Sequence, residues 1–97
     1  MIVAKKHELE RTIVLGVCDK ELLGKEFEEG ELCFTVSKRF FGESEVTTEE
    51  LIELFEEADS INLFGNKCVS IAKEQGLINE NKVISISGIK HVQIYKI

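Results

Sequence analysis

Thiols, imidazoles and segregated charges are the groups in this chain whose types and spacing could do chemistry. The thiols are Cys18, Cys33 and Cys68, and spacings of 15 and 35 residues make neither a CxxC pair nor a Cys/His zinc pattern. Cys18 precedes Asp19 where an apolar run meets a predicted helix start, a place where a thiol can ionise and become a nucleophile. A base such as His7 or His91 would have to serve it, and Asp19 opposes its ionisation. The other reading of Cys18 is a buried small hydrophobe, with Asp19 as the helix cap. Cys33 and Cys68 read as packing residues.

A second candidate is Asn62-Leu63-Phe64-Gly65-Asn66-Lys67, a short strand passing through glycine into a helix. The first amides of a helix lack intrahelical partners and sit at the positive end of its dipole, so an anion can dock there. Asn62, Gly65, Asn66 and Lys67 are the residues that would hold it. The alternative is ordinary capping by Asn62 or Asn66, with Gly65 making the bend. No Walker loop and no GxGxxG is present.

Cations gather toward the two ends of the sequence. Lys5, Lys6 and His7 would join Lys90, His91 and Lys96 in one basic edge if the terminal strands are neighbours, and Lys38-Arg39 beside Phe40-Phe41 would extend it. Such an edge holds RNA phosphates while an aromatic ring stacks on a base. Lysines along a sheet edge also serve simply to prevent strand-to-strand aggregation. Between residues 43 and 59 there are eight acids and no Lys or Arg. The helix expected at 48–58 is therefore either a solvated face or a surface for a basic protein. Its glutamates show no EF-hand spacing and no Glu-x-x-His pair, so no metal is expected, and no cofactor.

The elements that position these groups follow from periodicity. Residues 1–7 and 12–18 read as two strands joined by a polar turn, and Asp19 to Phe27 as a brief helix. Leu32, Phe34 and Val36 alternate with Cys33, Thr35 and Ser37, the mark of a half-buried strand. Thr47 and Glu50 form a capping box ahead of Leu51, Leu54, Phe55 and Ala58, which make one apolar stripe. Residues 66–75 read as another helix, with Gly76 and Leu77 closing it. Lys82 to Ser87 and Ile89 to Ile97, joined at Gly88, read as a closing hairpin. Hairpins at both ends predict an α+β fold: a mixed, largely antiparallel sheet with two to three helices packed on one face. A three-layer α/β arrangement is the runner-up.

Composition sets the outer limits. Ninety-seven residues make a single domain, 1–97, that buries about two-thirds of its unfolded surface. Hydrophobic residues at 43%, charged residues at 31% and a mean hydropathy of −0.01 describe a globular chain rather than a disordered one. Eighteen acids against twelve Lys and Arg leave a net charge of −6, which weighs against a protein that coats duplex phosphate. No apolar run approaches the ~20 residues of a membrane span, no signal segment is evident, and the thiol pattern predicts a reduced, cytoplasmic setting. The oligomeric state is open.

Four clusters carry a family resemblance: Val17-Cys18-Asp19-Lys20-Glu21-Leu22-Leu23-Gly24-Lys25, Phe40-Phe41-Gly42, Asn62-Leu63-Phe64-Gly65-Asn66, and Gly88-Ile89-Lys90-His91-Val92-Gln93-Ile94. Together they resemble a family of small, mainly archaeal proteins known as domain of unknown function four-twenty-four, over nearly the whole chain. The resemblance implies an archaeal, cytosolic, single-domain protein, with association with the translation machinery as a family-level expectation. It carries over no catalytic residue. The expectation is thus a non-catalytic binding module, for RNA or a ribonucleoprotein. The alternatives are a small enzyme or small-anion-binding protein using Cys18 or the Asn62–Gly65 turn, and a protein-interaction subunit using the acidic helix.

Overall fold

Eight strands and three helices form over residues 1–96, the part of the chain that this computed structural model describes. The chain opens with the antiparallel hairpin of β1 (Ile2–Leu9) and β2 (Thr12–Asp19), with Ile2 opposite Asp19 and Leu9 opposite Thr12. A second, separate hairpin follows, β3 (Glu26–Glu29) with β4 (Leu32–Thr35). The helix α1 (Lys38–Phe41) and the two-residue strand β5 (Glu45–Val46) lead into α2 (Thr48–Glu57). The strand β6 (Ser60–Phe64), the helix α3 (Asn66–Glu74) and the hairpin β7 (Ile84–Ile86) with β8 (Ile89–Tyr95) complete the chain.

Six strands make the main sheet in the order β5-β1-β2-β6-β8-β7, and every pairing is antiparallel except β2 with β6. The fold is α+β, with a mixed, largely antiparallel sheet. A radius of gyration of 12.5 Å is that of one compact body of this length, for which about 12.5 Å is expected.

Alternation along the strands sorts the residues into two cores. Ile2, Ala4, Leu15, Val17, Ile61, Leu63 and Val92 face α2 and α3, which contribute Leu51, Phe55, Cys68, Val69 and Ala72. Val3, Cys18, Phe64 and Ile86 face the other way, where the β3–β4 hairpin and α1 cover them with Val36, Phe34 and Phe41. Two helices therefore share one face as expected, while α1 joins the hairpin as a partial third layer. Ser37 starts α1 by accepting bonds from the amides of Arg39 and Phe40. The strand read from the alternation of Leu32 to Ser37 stops at Thr35 for that reason.

Capping explains where the longer helices begin and end. Thr47 accepts from the Glu50 amide at 3.1 Å, and Glu50 accepts from the Thr47 amide at 3.0 Å, the complete capping box. The end of α3 is a Schellman turn: the Gly76 amide reaches the Lys73 carbonyl and the Leu77 amide reaches that of Ala72.

One expectation fails here. The terminal strands β1 and β8 are not neighbours, because β2 and β6 lie between them, a separation of about 14 Å. The strand β6 enters the middle of the sheet because its Ile61, Leu63 and Phe64 are apolar on both faces, which suits a buried central position and not an edge.

Candidate functional site

The start of α3 already holds an anion, and it is the protein's own. Asp19, at the end of β2, is 4% exposed. Its two carboxylate oxygens accept from the Lys67 and Cys68 amides, each at 3.0 Å. These are the orphan donors of the helix N-terminus, so the carboxylate both satisfies them and opposes the dipole's positive end. A Cβ on Gly65 would lie 2.6 and 2.7 Å from those oxygens, and Gly65 has φ +134°. Only glycine fits there.

Two sequence expectations are corrected by this contact. Asp19 does not cap its own following turn, the 3-10 turn Lys20–Leu22, in which it makes no side-chain cap bond. Nor do Asn62, Gly65, Asn66 and Lys67 form one anion site. Asn66 is spent on the β7–β8 turn, receiving the Lys90 amide at 2.9 Å and donating to the Gly88 carbonyl. Lys67 pairs with Glu21.

Cys18 is placed as the buried small hydrophobe of the alternative reading. It is fully buried, its thiol donates to the Asp19 carbonyl, and burial followed by the Asp19 charge pushes its pKa up to about 12. Cys68 is likewise buried and raised, first by desolvation and then by Asp19 and Cys18. Cys33 is exposed on β4. Neither histidine touches Cys18 by hydrogen bond: the ring of His7 bonds the Phe40 carbonyl and that of His91 bonds the Leu63 carbonyl. Among the described residues, no group of three His, Cys, Asp or Glu is placed to hold a metal ion.

Unspent polar side chains converge elsewhere, on the sheet face opposite α2 and α3. There a groove of about 350 Å³ runs between α1 and the strands β6 and β8, lined by Phe34, Ser37, Phe40, Phe41, Asn62, His91 and Gln93 among others. Its floor is the cross-strand pair Asn62 and Gln93. Among the described residues neither carboxamide has a hydrogen-bond partner within the protein, although Asn62 is half-buried on a central strand. Phe34 stands on Phe64 with ring centroids 4.5 Å apart and planes at 12°. Phe40 stacks on His7 at 5.0 Å and 16°. Gly16 admits the Phe40 ring, since a Cβ there would lie 2.7 Å from the Phe40 carbonyl oxygen and 2.8 Å from its ring.

His91 is the groove's one titratable lining group with a shifted pKa. Its Nδ1 lies 2.9 Å from the Leu63 carbonyl oxygen, which can only accept, so Nδ1 carries the proton in the neutral ring. Nε2 is then an acceptor. Desolvation lowers the pKa below the usual 6.5, against the raising effect of that carbonyl bond, so the ring is neutral at pH 7.

The cations proposed for an RNA surface divide into two groups. Lys38 and Arg39 sit on α1 between the groove-lining Ser37 and Phe40, and Lys5 donates to the Arg39 carbonyl from below. With His91 these four lie around the groove. Lys6, Lys90 and Lys96 do not, because their positions on β1 and beside Val92 and Ile94 of β8 face the α2–α3 layer. Lys6 is committed to Glu57 and Glu8, whose hydrogen bonds raise its pKa, and Lys96 donates to the Phe55 carbonyl. The single basic edge is thus not formed. On α2, Glu49, Glu53 and Glu56 are exposed, while Glu57 is held by Lys6.

A larger hollow of about 750 Å³ lies on the α2–α3 side, lined mainly by Met1, Ile2, Val46 and Ile71. Most of its rim groups are already engaged, Thr47 in the capping box, Glu45 with Lys20, Lys67 with Glu21 and Asn66 with the hairpin turn, which leaves the exposed hydroxyls of Thr48 and Ser70. Size alone does not make it the better site, since recognition needs convergent polar groups that are free. Sequence reasoning did not single out Gln93 or Phe34 for this site, and it grouped Asn62 with Gly65, Asn66 and Lys67 rather than with Gln93. The usable signal was a carboxamide within Ile61-Asn62-Leu63-Phe64, where an apolar central strand gains nothing from a polar residue.

Fold and groove together define a small α+β sheet protein with one open, amide-floored face. Its family is defined as well: residues 7–97 match the model described as "Protein of unknown function (DUF424)", and the chain belongs to that family. Among solved structures, it is similar to the crystal structure of an uncharacterized conserved protein from Methanopyrus kandleri, with a TM-score of 0.80 and 25% identity. That match covers 97% of this chain and 90% of the other. Among curated proteins, none matches in sequence. No described helix is long and apolar enough to cross a membrane.

Proposed function

We propose that this protein is a non-catalytic RNA-binding module of an archaeal cytoplasm, using the groove between α1 and strands β6 and β8. The observation that carries the reading is the unpartnered carboxamide of Asn62, half-buried on a central strand and facing a groove walled by aromatic rings. Among the described residues no buried side-chain polar atom lacks a partner, so this carboxamide opens to the groove and its hydrogen-bonding capacity is available to a ligand. Lys5, Arg39 and Lys38, the last in an exposed pair with Glu43, supply charge for phosphates beside the groove, and the half-buried Phe34 and Phe40 supply stacking surface. Likeness to the Methanopyrus kandleri protein supports the archaeal setting, and the buried free thiols Cys18 and Cys68 suit a reducing compartment. A role beside the translation machinery is consistent with an RNA ligand.

The test is filter binding with total archaeal RNA at graded salt. About three phosphate contacts to a single strand give a slope of about −2 in log affinity against log salt. The double variant Lys38→Glu/Arg39→Glu loses binding, whereas Lys90→Ala/Lys96→Ala, on the opposite face, retains it. No binding at low salt, or equal loss in both variants, overturns the assignment.

A further inference from the structure

We infer that the groove accepts one unpaired nucleobase, inserted edge first, with Asn62, Gln93 and Nε2 of His91 meeting its hydrogen-bonding edge. This rests on the reading that the ligand is RNA, and it adds that the site takes single strands and rejects duplex.

Shape carries the first part of the argument. The polar atoms lie on the floor, at the level of the sheet, while α1 and the β3–β4 hairpin rise beside them with Phe34, Phe40 and Phe41. A base inside an A-form helix keeps its edge within a groove whose walls are the phosphate backbone, so it cannot reach down between those rings. A splayed base can, and its faces then meet aromatic surface while its edge meets the amides. The walls are also set in place beforehand. Phe34 rests on Phe64, and Phe40 is held by both the His7 ring and the bare Gly16 backbone. Rings already fixed in this way lose little freedom when a base enters.

Chemistry carries the second part. Two carboxamides offer donors and acceptors together, the pattern that matches a base edge and that a bare phosphate, an acceptor only, does not use fully. The Leu63 carbonyl fixes the His91 tautomer with Nε2 as acceptor. Around the ring stand Phe34 and Phe64, with Ile84 as the cross-strand partner, all apolar, and this desolvation outweighs the Leu63 carbonyl bond, so the neutral form is favoured. A neutral acceptor beside the two amides suits an amino or ring N–H of a base and does nothing for a phosphate.

The experiment is fluorescence anisotropy with three probes: a labelled single-stranded RNA of about ten nucleotides, the same strand in a duplex, and an abasic strand of equal length. The single strand is expected to bind about tenfold or more tightly than either of the others. Asn62→Leu, and independently Gln93→Ala at its exposed position, should erase that preference while leaving the weaker backbone affinity. Duplex or abasic probe binding as tightly as the single strand overturns the base-insertion inference and leaves RNA binding standing. Failure of all three probes to bind overturns the parent reading and this one with it.

Discussion

The carboxylate of Asp19 occupies the space that a side chain on Gly65 would need, and from there it holds the amides of Lys67 and Cys68 at 3.0 Å. One acid from the end of β2 thereby fixes the start of α3 and the junction of the parallel strand pair, β2 with β6. The rest of the molecule is arranged around that junction, with α2 and α3 on one side and the groove on the other.

Gly65→Ala should therefore destabilise the fold by about 3 kcal/mol or more, combining steric overlap with a backbone region nearly closed to other residues. Gly24 also has positive φ, +79°, but nothing lies within 4 Å of its missing Cβ. Gly24→Ala should cost only about 1 kcal/mol. Urea midpoints for the two variants check the contrast.

Asp19→Ala leaves two helix amides without acceptors, that of Cys68 buried and that of Lys67 part-buried, at a cost of about 2 kcal/mol. Asp19→Asn keeps one acceptor oxygen and should fall between the variant and the parent. Amide hydrogen exchange at Lys67 and Cys68 should rise in Asp19→Ala before exchange in the β1–β2 hairpin does.

Local signals were legible in the sequence and nonlocal ones were not. The capping box of Thr47 and Glu50 and the Gly76–Leu77 stop each involve residues within a few positions, and each formed as read. Asp19 finds its partners 48 and 49 residues away, so its own neighbourhood suggested only a cap on the next turn. The order of strands is hidden for the same reason. Nothing in Ile2–Leu9 or Ile89–Tyr95 specifies that β2 and β6 will stand between them, so the basic ends looked like one edge. Of the groove, the cations Lys5, Lys38 and Arg39, the imidazole of His91 and the Phe40-Phe41 pair were identified; Phe34 and Gln93 became visible only once α1 and the hairpin were placed.

Thiol accessibility gives a third prediction. Native protein at pH 8 should alkylate rapidly at Cys33 alone, because Cys18 and Cys68 are buried and their thiols are held protonated. Mass spectrometry before and after denaturation should show one modified cysteine rising to three. Fast native labelling of Cys18 contradicts its placement.

Acidification should weaken the fold through His91. Its folded pKa lies below the unfolded value of about 6.5, so between those two values the unfolded chain binds more protons. The contribution is fully present above pH 6.5 and is lost as pH falls through the folded pKa. His91→Gln, which cannot ionise, should flatten the stability profile between pH 7 and pH 5 relative to the parent, as read from urea midpoints.

Site-resolved titration by NMR tests the central claim most directly. With a short single-stranded RNA added to isotopically labelled protein, the side-chain amide signals of Asn62 and Gln93 and the ring protons of His91 should shift together and saturate at one affinity. Shifts confined to the α2–α3 face, or none at the groove while RNA is bound, would contradict the account.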